Sequence, residues 1–273
     1  MMKKFAILLL LISVSFASYG QDADSLDRYA GLDSLLTHFY TTLERAETEE
    51  KNSEFDGLIE MCRDSLTRQH VTLAIFDHYS HSRVMGEEAV AIHIYDEWIK
   101  SGKVKTRSEF EDMEKEIFAE FNRNTLIGMT APPIELIKPC GSRLTVPEKG
   151  SVGILFFYAT DCMKCRLELA ELPKILDNIP FKVNFYAINT STDRRDWNAV
   201  RRNLKTKNRE VAIKHLWDPE IDSDYQKLYG IIGTPRIFVV LDDGEIVGRR
   251  LELDNLQEII NYISIVYGKK EEK

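Results

Sequence analysis

Two cysteines separated by two residues, Cys162 and Cys165, have the spacing in this chain that is best suited to chemistry. Two thiols at this spacing can close into a disulfide and reopen, so they form a redox-active dithiol. At a helix N-terminus, the unpaired backbone N–H groups and the helix dipole favour an anion. We therefore expect Cys162 to be the nucleophilic thiolate. Cys165, one turn further into the helix, is then placed to attack a mixed disulfide formed on Cys162.

The segments on either side of the dithiol have the patterns of a buried strand and an amphipathic helix. A continuous apolar run at 152–158 precedes the cysteines, and apolar residues at helical spacing follow them up to about residue 176. The other predicted elements of this half are strands at about 134–137, 181–188, 236–241 and 245–249, and helices at about 193–204, 223–229 and 256–263. The stretch from 205 to 214 is predicted to be irregular. This order predicts an α/β domain at 126–270, with a mixed sheet covered by helices on both faces.

The preceding region, 22–125, is predicted to be an all-α domain. Its apolar residues recur at spacings of three and four, which indicates about five helices and no strand. We predict breaks between these helices at 50–53, 80–86 and 101–103. No motif in this region specifies a ligand.

Residues 1–20 have the organisation of a secretory signal peptide. Lys3 and Lys4 precede an apolar stretch that ends at about Val14, which is too short to span a bilayer. Small residues then indicate cleavage near Gly20/Gln21. The alternative is a buried N-terminal helix, but the order of the regions favours a signal. The sequence thus predicts an exported, periplasmic protein with no transmembrane segment in its mature chain.

Composition restricts the remaining function classes. The 273 residues are 44% hydrophobic, as in a globular protein with a core, and their formal net charge is −8. Because the chain is acidic and has no extended basic cluster, we expect it not to bind nucleic acid. Four cysteines are too few for a disulfide framework. We predict that the two outside the dithiol, Cys62 and Cys140, form no bridge.

The region from about 126 to 268 resembles thioredoxin and, more closely, the exported thioredoxin-like thiol–disulfide oxidoreductases of the TlpA/ResA kind. The resemblance rests on Gly-Met-Thr-Ala-Pro at 128–132, on the segment 157–165 that contains the dithiol, and on Gly-Thr-Pro at 233–235 before a strand. It implies disulfide exchange with exported proteins that carry thiols or disulfides, a separate redox partner, and no cofactor or metal. It also implies a cis Thr234–Pro235 bond packed against the dithiol, with the Thr234 backbone free to pair with an extended substrate.

This chain departs from the family pattern around the dithiol. Asp161 stands where the family often has Trp; at a helix N-cap it favours the helix, but its charge opposes the Cys162 thiolate, whereas Lys164 favours it. Phe156 occupies the position of a buried aspartate in thioredoxin. Glu168 matches a glutamate of the ResA-like branch, and the resemblance implies that it accepts a proton near the dithiol. The alternative for Glu168 is a solvated carboxylate on the helix face.

Three other functions compete with a disulfide oxidoreductase. A zinc site needs four ligands, and the chain has no second CxxC. A thiol peroxidase shares the fold, but its threonine and proline before the reactive cysteine are replaced here by Ala159 and Leu155. A non-catalytic binding protein would keep the two cysteines as a stable structural disulfide, which the reduction potential would reveal.

Overall fold

The structure, a computed structural model, describes residues 28–271. The predicted signal peptide at residues 1–20 lies outside this range. Among the residues described, no helix combines the length and the apolar character that crossing a membrane requires.

Residues 28–63 form one compact unit and residues 64–271 form another. The first unit consists of two helices, α1 (Ala30–Leu43) and α2 (Thr48–Glu60). Phe39 of α1 packs edge-to-face on Phe55 of α2, with 5.8 Å between the ring centroids. This contact buries both rings.

The helix break predicted at 50–53 is wrong. Helix α2 runs through these residues, and the chain turns earlier, at 44–47. The polar residues that suggested a loop fit the beginning of a helix, because Glu49 and Glu50 lie in the first turn, where the helix dipole favours negative charge.

The second unit begins with helical segments, as predicted. They are α3 (Ser65–Ser80), α4 (Glu88–Ile94), which continues as a π-helix (Tyr95–Lys100), and α5 (Glu109–Asn122), followed by a 3-10 turn (Arg123–Thr125). Side chains cap two of them: Asp64 accepts the Thr67 N–H at 2.9 Å, and Ser108 accepts the Glu111 N–H at 3.2 Å. Residues 30–125 contain no strand.

A seven-stranded mixed sheet follows. Its strands are β1 (Ile134–Ile137), β2 (Arg143–Val146), β3 (Val152–Tyr158), β4 (Val183–Asn189), β5 (Val211–Trp217), β6 (Arg236–Val240) and β7 (Ile246–Leu251). The strand order is β2-β1-β5-β4-β3-β6-β7. Strands β3, β4 and β5 are parallel, and β6 is antiparallel to β3. The predicted mixed sheet with parallel central strands is confirmed.

Helices cover both faces of the sheet, which also confirms the prediction. They are α6 (Met163–Leu176), α7 (Arg194–Asn203), α8 (Tyr225–Tyr229) and α9 (Leu253–Glu271). Alternate residues of β3 point to opposite faces. Phe156 belongs to the core packed by α6, α7 and α9, whereas Phe157 belongs to the core that contains Tyr225 and Tyr229 of α8.

Strand β5 is a difference from the sequence prediction, which had an irregular stretch up to residue 214. Lys214 and His215 interrupt its apolar pattern, so the segment lacks the strong alternation of a strand. It becomes a strand by pairing in parallel with the fully formed β4, from Val183↔Val211 to Asn189↔Trp217. Tertiary pairing thus overrides a weak local preference.

The helices of the second unit pack closely against its sheet domain. Gly230 ends α8 with φ of 63°, and a Cβ atom there would lie 2.1 Å from the Phe121 carbonyl oxygen of α5. Only glycine fits both this conformation and this approach. The compact units therefore divide at residue 63, although the change from helices to strands comes after residue 125. The domain boundary at 125 stays a prediction.

Candidate active site

The dithiol lies where β3 ends and α6 begins. Cys162 is the N-cap residue of α6, with extended backbone angles, and its Sγ accepts the Cys165 N–H at 3.1 Å. A side-chain acceptor at this position is favourable because the first N–H groups of a helix have no partner within it. The sulfur takes the part that a serine or aspartate oxygen usually plays. The expectation that Asp161 would be the N-cap is wrong, since Asp161 precedes it and is exposed.

The two sulfurs differ in accessibility and acidity. Cys162 is half-buried and Cys165 is fully buried. Burial raises the pKa of the Cys162 thiol, but hydrogen bonds from the Cys165 side chain and backbone, the Thr234 side chain and the Lys164 backbone together bring that pKa below its ordinary value. Burial, followed by the hydrogen bond with Cys162, raises the pKa of Cys165 to about 12. An accessible nucleophile thus lies beside a protonated, protected second thiol.

The segment before β6 borders the dithiol. The Thr234–Pro235 peptide bond is cis, as the resemblance implies, and Pro235 is buried. The Cys162 thiol donates a hydrogen bond to the Thr234 carbonyl at 3.3 Å. This carbonyl was expected to be free for a substrate; while Cys162 is protonated, it is instead occupied by the thiol.

Glu168 is buried in the structure, so its alternative as a solvated surface carboxylate is wrong. Its residue exposure is 8%, and its Oε2 atom has no hydrogen-bond partner among the described residues. Burial raises the pKa of Glu168, while the positive charges of Lys164 and Arg236 act in the opposite direction. Glu168 follows Cys165 by three residues on α6, so both side chains lie on one side of that helix.

Two residues near the dithiol were missed by the sequence reasoning. Glu252, between β7 and α9, has its Oε1 atom 2.5 Å from Lys164 Nζ, and Lys164 Nζ is also 3.9 Å from Glu168 Oε1. Arg236 donates from Nη1 to the Pro235 carbonyl at 2.9 Å. Arg236 could have been noticed because it follows Pro235 directly. Nothing in the sequence connects Glu252 with the distant Lys164.

The other two cysteines belong to different compact units of the chain. Cys140 is exposed, with its Sγ 3.1 Å from Ser142 Oγ. The Cys62 thiol donates to the Leu58 carbonyl at 3.6 Å in the preceding helical turn. That these two cysteines form no bridge stays a prediction. Within residues 28–271, no group of three His, Cys, Asp or Glu side chains is arranged to hold a metal ion.

The sequence pattern of the sheet region agrees with this geometry. A family model described as thioredoxin-like domain matches residues 143–263. This part of the chain has a thioredoxin-like fold. The match begins at β2 and includes the dithiol, the Thr234–Pro235 bond and most of α9.

One solved structure superposes on the thioredoxin-like region and on helical segments before it. A thioredoxin-like protein from Bacteroides caccae is 12% identical and superposes with a TM-score of 0.65, over 88% of this chain and 87% of that one. Because the superposition covers 88% of the chain, it includes helical segments that precede the sheet. No curated protein matches the chain.

Two further structures align with about half of the chain. The thioredoxin domain of a thiol-disulfide oxidoreductase from Bacteroides vulgatus is 23% identical, over 50% of this chain and 96% of that one, with a TM-score of 0.42. A thiol:disulfide interchange protein from Bacteroides sp. is 24% identical, over 51% of this chain and 90% of that one, with a TM-score of 0.43.

Proposed function

We propose that this protein is a thiol–disulfide oxidoreductase that exchanges disulfides with exported proteins through Cys162 and Cys165. The observation that carries the proposal is the asymmetry of the dithiol. Cys162 is half-buried, its sulfur accepts the Cys165 N–H, and its pKa lies below the ordinary value. Cys165 is buried, and its pKa is raised to about 12. Such a pair suits one thiol to attack and the other to resolve.

In the reductive direction, the Cys162 thiolate attacks one sulfur of a client disulfide. An S–S bond forms between Cys162 and the client, and the other client sulfur leaves as a thiolate. Cys165 then loses its proton and attacks the Cys162 sulfur. The Cys162–Cys165 disulfide forms and the second client thiolate leaves, so two electrons pass from the dithiol to the client. The reverse sequence oxidises the client, and the relative stability of the dithiol and disulfide sets the direction.

We propose Glu168 as the acceptor of the Cys165 proton. Its carboxylate lies on the same side of α6 as Cys165, and its Oε2 atom is buried without a hydrogen-bond partner in the described part of the chain. Burial raises the pKa of Glu168, which brings it nearer to the range in which a carboxylate exchanges protons efficiently at neutral pH.

Thr234 and Pro235 are proposed to hold the client backbone. Once the Cys162 proton is gone, the Thr234 carbonyl is released from its 3.3 Å bond with the thiol and can accept an N–H from an extended client segment. Export of the protein and its periplasmic location belong to the same proposal and are supported by the composition of residues 1–20. The proposal also includes a separate redox partner, because a dithiol that has been oxidised by a client must be reduced again before the next reaction.

Trapping tests the assigned roles. Cys165→Ser should accumulate mixed disulfides with client proteins, because attack by Cys162 survives and resolution does not. Cys162→Ser should accumulate none. Both variants are compared on non-reducing gels, and equal trapping would contradict the roles. A measured reduction potential then separates an exchangeable dithiol from a structural disulfide, since the latter resists reduction by glutathione.

A further inference from the structure

A cavity of about 800 Å³ lies within the second compact unit, and two of its lining residues, Arg236 and Glu252, belong to the surroundings of the dithiol. One wall is the segment between α3 and α4, residues 80–88, and the other is formed by Arg236 and by residues 249–259 of β7 and α9. Its volume lies in the range of protein binding sites. It is therefore large enough for a short peptide segment.

Positive charge predominates in the wall of this cavity. Four arginines line it, namely Arg83, Arg236, Arg249 and Arg250, together with the carboxylates Glu88, Glu252 and Glu258. Two of the carboxylates already have cationic partners, because Glu88 pairs with Arg249 at 2.5 Å and Glu252 pairs with Lys164. The remaining one, Glu258, is exposed.

Three of the arginines have no carboxylate within ion-pair distance among residues 28–271. Arg250 donates to the side-chain carbonyl of Asn122 at 3.1 Å, and Arg236 donates to the Pro235 carbonyl. Both acceptors are neutral. The Arg236 Nε atom is buried with no hydrogen-bond partner in the same described range. Arg83 is exposed. Burial and then the nearby Arg236 charge lower the pKa of Arg250, so these guanidinium groups repel one another.

Two residues of the cavity wall, Arg236 and Glu252, relate it to the reacting sulfur. Arg236 lies two residues after Thr234, whose carbonyl contacts Cys162 Sγ, so their Cα atoms are within about 7.6 Å. On the other side, Glu252 holds Lys164, which stands between the two cysteines. A client bound covalently to Cys162 would therefore have neighbouring residues near Arg236, at the edge of the cavity.

We propose that this cavity, the arginine cavity, binds an acidic segment of the client protein next to the client's reactive cysteine. The inference rests on the proposed function and specifies its substrate class. Client carboxylates would accept the N–H groups that Arg83, Arg236 and Arg250 leave without an anionic partner, in the paired geometry that guanidinium and carboxylate share. On a chain with a net charge of −8, a local excess of arginine selects acidic segments specifically at this place.

Two disulfide-containing peptides of equal length test the proposal, one with glutamates and one with glutamines beside the cysteine. The reduced protein should reduce the glutamate peptide about tenfold faster in kcat/KM at low ionic strength, and added salt should shrink the ratio. Arg83→Gln and Arg236→Gln should each bring the ratio towards one. Arg209→Gln, an exposed arginine outside the cavity, should keep it.

The outcomes separate this inference from the proposed function. Equal rates of the wild-type protein on both peptides would overturn the acidic specificity but leave the oxidoreductase proposal standing. Retention of the full ratio in both cavity variants would also overturn it. If the reduced protein reduced neither peptide and the oxidised protein oxidised neither peptide in its dithiol form, the proposed function itself would fail. Circular dichroism of each variant shows whether a lost preference comes from a folded protein.

Discussion

Glu88→Gln tests the buried ion pair that joins the first residue of α4 to strand β7. Arg249 is 2% exposed, and its Nη1 atom lies 2.5 Å from Glu88 Oε1. Its other partner of note, Asn122, is neutral and accepts from Nη2 at 3.0 Å. Glutamine preserves the size of Glu88 but leaves a buried guanidinium without its counter-charge. Removing one partner of a buried pair costs about 3–5 kcal/mol, and since glutamine retains an acceptor, we expect about 3 kcal/mol.

Urea unfolding followed by tryptophan fluorescence measures this loss. All three tryptophans of the chain, Trp98, Trp197 and Trp217, lie in residues 64–271, so the signal reports on the unit that contains the pair. With a slope of about 2–3 kcal/mol per M of urea, 3 kcal/mol lowers the midpoint by about 1–1.5 M. The slope itself should not change, because the substitution alters no buried area.

Two comparisons decide whether the charge is responsible. Glu171→Gln breaks an ion pair with Lys174 whose side chains are 57% and 73% exposed, and it should change stability by less than about 0.5 kcal/mol. Replacing both buried partners, in the double variant Glu88→Leu with Arg249→Met, should recover much of the loss, because no charge is then left unpaired. If Glu88→Gln cost no more than Glu171→Gln, the reasoning would be refuted.

Three further predictions concern the dithiol and the helix–sheet packing. The rate at which iodoacetamide alkylates Cys162 should rise with pH through a midpoint below the pKa of about 8.5 of an ordinary cysteine. Cys165 should resist alkylation until about pH 12. A midpoint for Cys162 at or above about 8.5 would contradict this prediction. Because burial raises the pKa of Glu168 above its unfolded value, the carboxyl destabilises the fold as pH rises between the two values. Relative to wild type, Glu168→Gln should therefore become more stable between pH 4 and pH 8, by about 1.4 kcal/mol for each pKa unit of the shift, as urea midpoints would show. The same variant should resolve a mixed disulfide more slowly in a stopped-flow experiment. An unchanged rate of resolution would exclude Glu168 as the proton acceptor. Gly230→Ala should lower the free energy of unfolding by at least about 1–2 kcal/mol because of the left-handed backbone alone. The loss should be larger because the new Cβ would lie 2.1 Å from the Phe121 carbonyl oxygen. A melting temperature equal to that of wild type would contradict this prediction.

The sequence by itself determined the features that depend on neighbouring residues. The short apolar run 152–158 indicates a buried strand, and the helical pattern after Cys165 places Cys162 at a helix start, where its sulfur accepts a local N–H. The roles expected of the two thiols, Cys162 attacking and Cys165 resolving, follow from their order at the start of this helix. These are short-range effects, so spacing and residue type are sufficient to predict them.

Tertiary structure decided what depends on residues far apart in the chain. Strand β5 exists because β4 pairs with it, despite the polar Lys214 and His215. Glu252 meets Lys164 and Arg249 meets Glu88 only once the sheet is assembled, and no pattern of spacing encodes such pairs. Whether Glu168 is solvated or buried likewise depends on what packs over α6. The reason is physical: burial and charge pairing are properties of the space around a side chain, and folding fills that space with residues that are distant in sequence.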